Sequence, residues 1–279
     1  MNRLDAMSTL LAAVDAGSLK PDQLLVIRPQ DLAVLNQPLR QEVLEKGSAT
    51  RSVQDLMTQA LSHSDNLAND RLLWTVGGPD TVRDILRRKK IEGIRFGPGE
   101  RLLQSRIAGL EWNSSYSLGR NFYEARAKLP MDRRKAALDQ YLADPMDGAS
   151  PEGIARALSR LVRGELLSPE STRAFLDILS RTHSGPMRLK AGAPQDWKVY
   201  HKTGTGQELG RLATGYNDVG LLQAPDGAWY AVAVMIRQTE RPIPERMHMM
   251  QAVTRAVVHF HEPGRELPAD ASEEPAEQD

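Results

Sequence analysis

The chain has 279 residues, enough for one large domain or two small ones. Its 36 basic and 36 acidic residues cancel, so nothing favours nucleic acid or an anionic membrane surface as a partner. Cysteine is absent, which excludes disulfides and thiolate catalysis, and no apolar run approaches the roughly 18 residues that span a bilayer.

Leu4, Met7, Leu10, Leu11 and Val14 recur at helical spacing, and Asp15-Ala16-Gly17 ends the pattern. Asp5 and Asp15 interrupt the apolar stretch, which argues against a signal peptide. Lys20 to Gly47 reads as a polar, loop-rich connection. Val53, Leu56, Met57 and Ala60 mark a helix over Arg51 to Ala60. Ser64-Asp65-Asn66 follows, in a connection before a second helix, Asn69 to Val76, which Gly77-Gly78 ends. Pro79 opens a third, Asp80 to Lys89. Taken alone, Ser64-Asp65-Asn66 is an ordinary helix N-cap with its Asx-turn.

Ile91 to Ser117 is turn-rich around Gly97-Pro98-Gly99-Glu100. Two helical stretches come next, Asn121 to Lys128 and Asp132 to Tyr141. Ser150-Pro151 starts a helix whose apolar face is Ile154, Leu158, Leu161 and Val162, and Ser171 to Ser180 makes another. Trp197 to Tyr200, Thr214 to Leu222 and Trp229 to Ile236 read as strands, with Asp226-Gly227 turning between the last two. Pro244 to Phe260 is a terminal helix with Met247, Met250, Val253, Val257 and Val258 as core contacts. From Glu262 onward, seven acidic residues against one arginine read as a solvated, disordered tail.

The chemistry concentrates in Lys202-Thr203-Gly204-Thr205, which continues the first strand. Lys202 brings a fixed positive charge and the threonines bring hydroxyls. The glycines admit close approach of a ligand to the backbone. An exposed strand edge also offers N–H groups to a developing oxyanion. By itself a Lys-Thr-Gly is a turn with a solvated lysine. Together with the upstream Ser64-Asp65-Asn66, the chain resembles the active-site serine hydrolases that comprise class A β-lactamases and penicillin-binding proteins. The resemblance covers about residues 4 to 261 and is nearer to the class A enzymes. It implies an α/β (α+β) fold in which an antiparallel sheet packs with helices beside a mostly helical subdomain, with the cleft between them.

By that resemblance Ser64 and Lys202 are catalytic, Ser64 relaying a proton to the leaving nitrogen. Asn66 hydrogen-bonds the substrate amide and Asp65 holds the loop. Lys202, Thr203 and Thr205, with Gly204, hold the substrate carboxylate, and the backbone N–H of Thr205 supplies half of an oxyanion hole. Arg241 or Arg246 is a candidate for a further carboxylate contact, although each also reads as a surface cation. Alternation points His201 away from the cleft. Asn217-Asp218 is similar to the family as well, although it also suits the polar face of a strand.

Two family features are not found. No Ser-x-x-Lys precedes Ser64, and Ser8 has no basic partner at helical spacing. By resemblance the motif falls at or just before Met1, so either the protein starts upstream or catalysis has been lost. The family's Glu-x-x-Leu-Asn, whose glutamate activates the deacylating water, is also not recognised. Glu100 has Leu103 and Gln104 at the right spacing but stands close to Ser64, whereas Asp139 and Asp144 lie nearer the expected place. An inserted helical loop is expected there, with slow deacylation as its consequence.

The resulting expectation is a serine β-lactamase-like hydrolase that acts on a β-lactam or related acyl compound. A catalytically dead or slow-deacylating penicillin-binding protein, or a peptide or ester hydrolase of the same fold, stands as the alternative. The six histidines show no paired ligand spacing, so neither metal nor cofactor is expected. No nucleic acid and no membrane span are expected, and the protein is expected to be a monomer. The family implies a periplasmic or secreted location, with a catalytic domain to residue 261 and the acidic tail over 262–279.

Overall fold

The computed structural model describes residue 17 and residues 19–265. The helix expected over Leu4 to Val14 and the tail beyond Arg265 lie outside the described residues. The described part of that expected tail is held down, since Arg265 pairs with Asp196 and Glu262.

In chain order the elements are β1 (Leu24–Ile27), α1 (Arg40–Lys46), β2 (Ala49–Ser52), α2 (Val53–Ser62), α3 (Asn66–Thr75), α4 (Pro79–Arg88), β3 (Ile94–Arg95), α5 (Glu100–Ile107), α6 (Asn121–Lys128), α7 (Met131–Ala143), β4 (Gly148–Ala149), α8 (Pro151–Val162), α9 (Pro169–Ser180), β5 (Lys198–Gly204), β6 (Glu208–Leu209), β7 (Leu212–Gln223), β8 (Trp229–Thr239) and α10 (Ile243–His261). The fold is therefore α+β, as the sequence implied.

Two stretches differ from expectation. The supposed loop from Lys20 to Gly47 contains β1 and α1. β1 is only four residues long, yet it buries Leu25 and Ile27 at alternate positions and pairs antiparallel with β2. The turn-rich stretch from Ile91 to Ser117 contains α5, whose Leu103 and Ile107 lie one turn apart and are both buried. Gly97-Pro98-Gly99 obscures that start, because the helix begins directly after Gly99.

Other boundaries follow local chemistry. Ser52 caps α2 in a reciprocal arrangement. Its Oγ accepts from Asp55 N at 3.0 Å, and its N–H donates to the Asp55 carboxylate. The next helix begins at Asn66 rather than Asn69, because Asp65 accepts from Ala68 N at 3.0 Å as N-cap. Ser150 and Ser168 cap α8 and α9, each followed by a proline in the first turn.

The main sheet has β7 at its centre, with β5 and β6 on one side and β8 on the other, all antiparallel. Side-chain alternation along β7 divides the interior. Val219 and Leu221 face a large core shared with α2, α3, α4, α8 and α9. Tyr216 and Leu222 face a second core with Trp197, Val232, Met250 and Val258. Burying one such leucine is worth about 2 kcal/mol, so the two-sided burial fixes the register of β7. Of the expected contacts on α10, Met250 and Val258 are fully buried, while Met247, Val253 and Val257 pack partly buried beside them.

Candidate active site

The two motifs meet. Lys202, 2% exposed on β5, donates from Nζ to Ser64 Oγ at 2.5 Å and to the Thr203 carbonyl at 3.1 Å. They are separated by 138 residues in sequence, so only the packing of the helical part against the sheet joins them. Ser64 adopts φ of 58°, the left-handed region that costs a non-glycine residue about 1–2 kcal/mol. That conformation turns its hydroxyl toward the lysine, and several contacts hold it there. Asn36 Nδ2 donates to the carbonyls of His63 and Ser64, both at 2.8 Å. Asn66 N donates to Asn36 O, and Asn66 Nδ2 donates to Val34 O at 2.8 Å. Asp65 accepts from Leu39 N through its other carboxylate oxygen at 3.1 Å. Asn36 therefore belongs to the site's frame. It sits in the stretch read from sequence as a plain loop.

On the strand side, Thr203 Oγ1 and Ser184 Oγ share a 2.6 Å hydrogen bond. Thr205 Oγ1 accepts from the Arg188 guanidinium at 2.8 Å, and Arg188 also donates to the carbonyls of Asn217 and Gly204. Its Cζ lies 3.8 Å from the centroid of the Tyr216 ring, a desolvated cation–π contact. Arg188 is thus an arginine beside the Lys-Thr-Gly that the sequence reading did not single out. Arg241 is exposed and pairs with Glu245. Arg246 is buried rather than a surface cation. It stacks 5.2 Å from the Tyr216 centroid and donates to the Arg241 carbonyl. Nothing in the sequence around Arg188 marks it, since the carbonyls that hold it come from β5 and β7.

His201 turns inward, with Nδ1 2.9 Å from both carboxylate oxygens of Asp218. Asp218 also accepts from Leu189 N, and Asn217 Oδ1 accepts from Ile236 N. Asn217-Asp218 is therefore buried strand wiring and not a solvated face. Gly206 follows the Lys-Thr-Gly where the chain doubles back. A Cβ there would come within 2.4 Å of the Thr214 carbonyl, so glycine is required for this approach.

The glutamate set aside from sequence is buried against the helix that starts with the Ser64 motif. Glu100 is 3% exposed and its carboxylate accepts from Gln104 Nε2 at 3.0 Å. Its backbone N–H donates to Asp70 Oδ1 at 2.8 Å, and Arg101 N donates to Asp70 Oδ2 at 3.2 Å. Asp70 lies one helical turn beyond Asn66 on α3, so this carboxylate docks the start of α5 next to the Ser64 motif. Complete burial pushes the Asp70 carboxyl above its ordinary range, against the two N–H bonds and the Arg101 charge. Gln207 Nε2 then donates to Gln104 O and Oε1, at 2.8 and 2.9 Å, tying α5 to the exit of β5. Asp139 and Asp144, favoured by position, are exposed and pair with Lys135 and Arg95. Helix α6 lies between Glu100 and both aspartates, and α7 carries Asp139 and ends at Asp144. Beside this wall a cavity of about 710 Å³ runs between Ile107, Tyr141 and Leu142 on one side and Gly206, Asn217 and Met235 on the other. Among the described residues no cluster of metal-ligating side chains occurs.

A buried Ser–Lys contact, a hydroxyl-rich strand edge with an arginine, and a buried carboxylate held by an amide are groups that acyl-transfer chemistry can use. Comparison with known proteins agrees. The model of the β-lactamase enzyme family matches residues 2–260, and the chain belongs to that family. It is 26% identical over 232 residues to β-lactamase VEB-1 of Pseudomonas aeruginosa, covering 83% of this chain and 66% of that protein. It is 29% identical over 214 residues to a β-lactamase of Mycobacterium tuberculosis, covering 77% of this chain and 57% of that one. The chain thus spans somewhat under two thirds of the length of these curated relatives. The crystal structure of the TLA-3 extended-spectrum β-lactamase superposes with a TM-score of 0.73 at 20% identity, covering 94% of this chain and 84% of that one, which establishes the fold.

Proposed function

We propose that the cleft binds an anionic β-lactam or a closely related acyl compound and that the protein is a β-lactamase-type serine hydrolase. The observation that carries this reading is the 2.5 Å contact between Lys202 Nζ and Ser64 Oγ at the strand edge. Lys202, Thr203, Thr205 and Arg188 would hold the substrate carboxylate, Gly204 leaving the edge open. With Nδ2 committed to Val34, Asn66 has its Oδ1 left to accept from the substrate amide, and Asp65 keeps the loop in place.

In the reaction a serine Oγ bonds to the lactam carbonyl carbon as its proton passes to the lysine of its own Ser-x-x-Lys. The C–N bond breaks, and the ring nitrogen takes a proton through Ser64, whose hydroxyl is recharged along the Lys202 contact. Water then gives a proton to Glu100, which Gln104 orients, and its oxygen bonds to the acyl carbon; the acyl–oxygen bond breaks and Glu100 returns that proton to the serine Oγ. By family resemblance the nucleophile is the serine of a Ser-x-x-Lys. Glu100, buried beside the Ser64 helix, would supply a deacylating base, which favours turnover over slow deacylation. A periplasmic or secreted location and a monomeric state belong to the same reading.

Calorimetric titration of residues 1–279 with an anionic penicillin tests it. Binding is expected, with Lys202→Ala weakening it; unchanged affinity in that variant counts against the site. Mass spectrometry of the same mixture is expected to show no acylated serine, and an adduct on Ser64 or elsewhere would reassign the nucleophile.

A further inference from the structure

The helices inserted between Glu100 and Asp147 bring charge to the cleft that the hydrolytic chemistry does not use. Arg126 on α6 donates to Gln207 Oε1 at 3.0 Å, and the other end of the same amide is bonded to Gln104. The guanidinium therefore stands three hydrogen bonds from Glu100, through Gln207 and Gln104, at the point where β5 leaves the site. Arg134 on α7 shares a shallow hollow with it, lined also by Ile107, Ala108, Leu138 and Gln207. Both arginines are half-buried. Burial, and then the neighbouring Arg134 charge, push the Arg126 guanidinium below its ordinary value.

Half-buried cations of like sign are costly without a counter-charge. Among the described residues neither arginine has a carboxylate within ion-pair distance, and only the Tyr123 phenol acts against the repulsion at Arg126. Glu208 lines the same hollow but is exposed and pairs with neither. Asp139, on the same helix as Arg134, is taken by Lys135. On the outer side Arg120 and Arg126 flank the exposed Tyr123 ring, with Cζ 5.8 and 5.7 Å from its centroid. This adds another cation and a flat apolar surface to the same rim.

We propose that Arg126 and Arg134 form a second anion subsite, which selects acyl compounds carrying a carboxylate on the acyl side chain in addition to the one beside Lys202. The proposal rests on the reading of the cleft given above. A planar guanidinium pair matches a carboxylate better than a single ammonium does. Its position past Gly206, rather than beside Ser64, assigns it to the substrate's acyl side chain and not to its reacting carbonyl.

The test compares an α-carboxybenzyl penicillin with the matching benzyl penicillin, which differ by one carboxylate. NMR titration of the 1–279 protein at low salt is expected to give about tenfold tighter binding of the dianion. Arg126→Gln with Arg134→Gln should abolish that preference and leave the benzyl compound unchanged. Arg126→Lys with Arg134→Lys should restore part of it, and raising the salt should shrink it. Equal affinity for the two compounds in the wild-type protein, with Lys202→Ala still weakening both, overturns the subsite alone. A preference that survives in the double glutamine variant overturns it too. No binding of either compound to folded protein overturns the reading of the cleft and this proposal with it.

Discussion

The strand edge β5 and the helices α6 and α7 both lie around the cleft, but they are held in different ways. β5 pairs with β7 over seven consecutive positions, and β7 is buried on both faces. α6 and α7 rest on small clusters, Phe122 with Val34 and Ala108, and Leu138, Tyr141 and Leu142 with Leu103 and Ile107. Polar contacts complete their attachment: Arg126 to Gln207, Tyr141 Oη to Asp147 at 2.8 Å, and Arg237 to the Leu142 carbonyl. Groups that must meet within tenths of an ångström, such as Lys202 and Ser64, sit where the fold over-determines position. Groups proposed to choose among substrates sit on the segment that can vary without disturbing that geometry.

Four substitutions probe this contrast. Leu221→Ala removes a fully buried side chain from the large core and is expected to cost about 3 kcal/mol, whereas Leu142→Ala in the small cluster should cost about half as much. Equal losses in chemical denaturation would mean the insert is as deeply integrated as the sheet. Lys202→Ala should weaken an anionic β-lactam by roughly 10- to 100-fold, the worth of a charged hydrogen bond, while Lys135→Ala on α7 leaves affinity unchanged. A similar loss from both would point to a diffuse field instead of a built site.

Asp70→Asn sharpens the link between the regions through pH. The folded-state carboxyl is raised above its unfolded value, so wild-type stability falls as pH rises from about 4 through that raised value. The melting temperature of the variant relative to wild type should therefore climb across that interval and then level. A flat difference would show that the Glu100 and Arg101 N–H bonds fully compensate the burial. The smallest effect is at Ser64. Ser64→Gly relieves the left-handed backbone while Ser64→Ala keeps it, so the glycine variant should melt higher, by about 1 kcal/mol in stability. The reverse order would mean the glycine's extra freedom in the unfolded chain outweighs the strain.

Much of the fold could be read from the sequence because the strands are runs of β-formers bounded by turn residues and the helices carry apolar stripes. The Ser64 and Lys202 motifs were legible because each is local. Elements missed were short, such as β1, or hidden behind glycine and proline, such as α5. Glu100 had Leu103 at the family spacing but Gln104 where the pattern has asparagine, and it was set aside because it stands close to Ser64. Arg188, Ser184 and Asn36 carried no local signal at all. Each is placed by backbone carbonyls or hydroxyls far away in sequence, which a one-dimensional pattern does not record.

β8 pairs only with β7 among the described residues, so the eleven-residue strand presents one side with no neighbouring strand. The consequence is kinetic. Pairing of two such edges is a bimolecular event, so self-association of residues 1–279 should grow with the square of concentration, and a preparation that is stable when dilute should cloud on concentrating. Light scattering followed across a dilution series reads that order directly, and a first-order dependence would trace the loss to unfolding within single molecules.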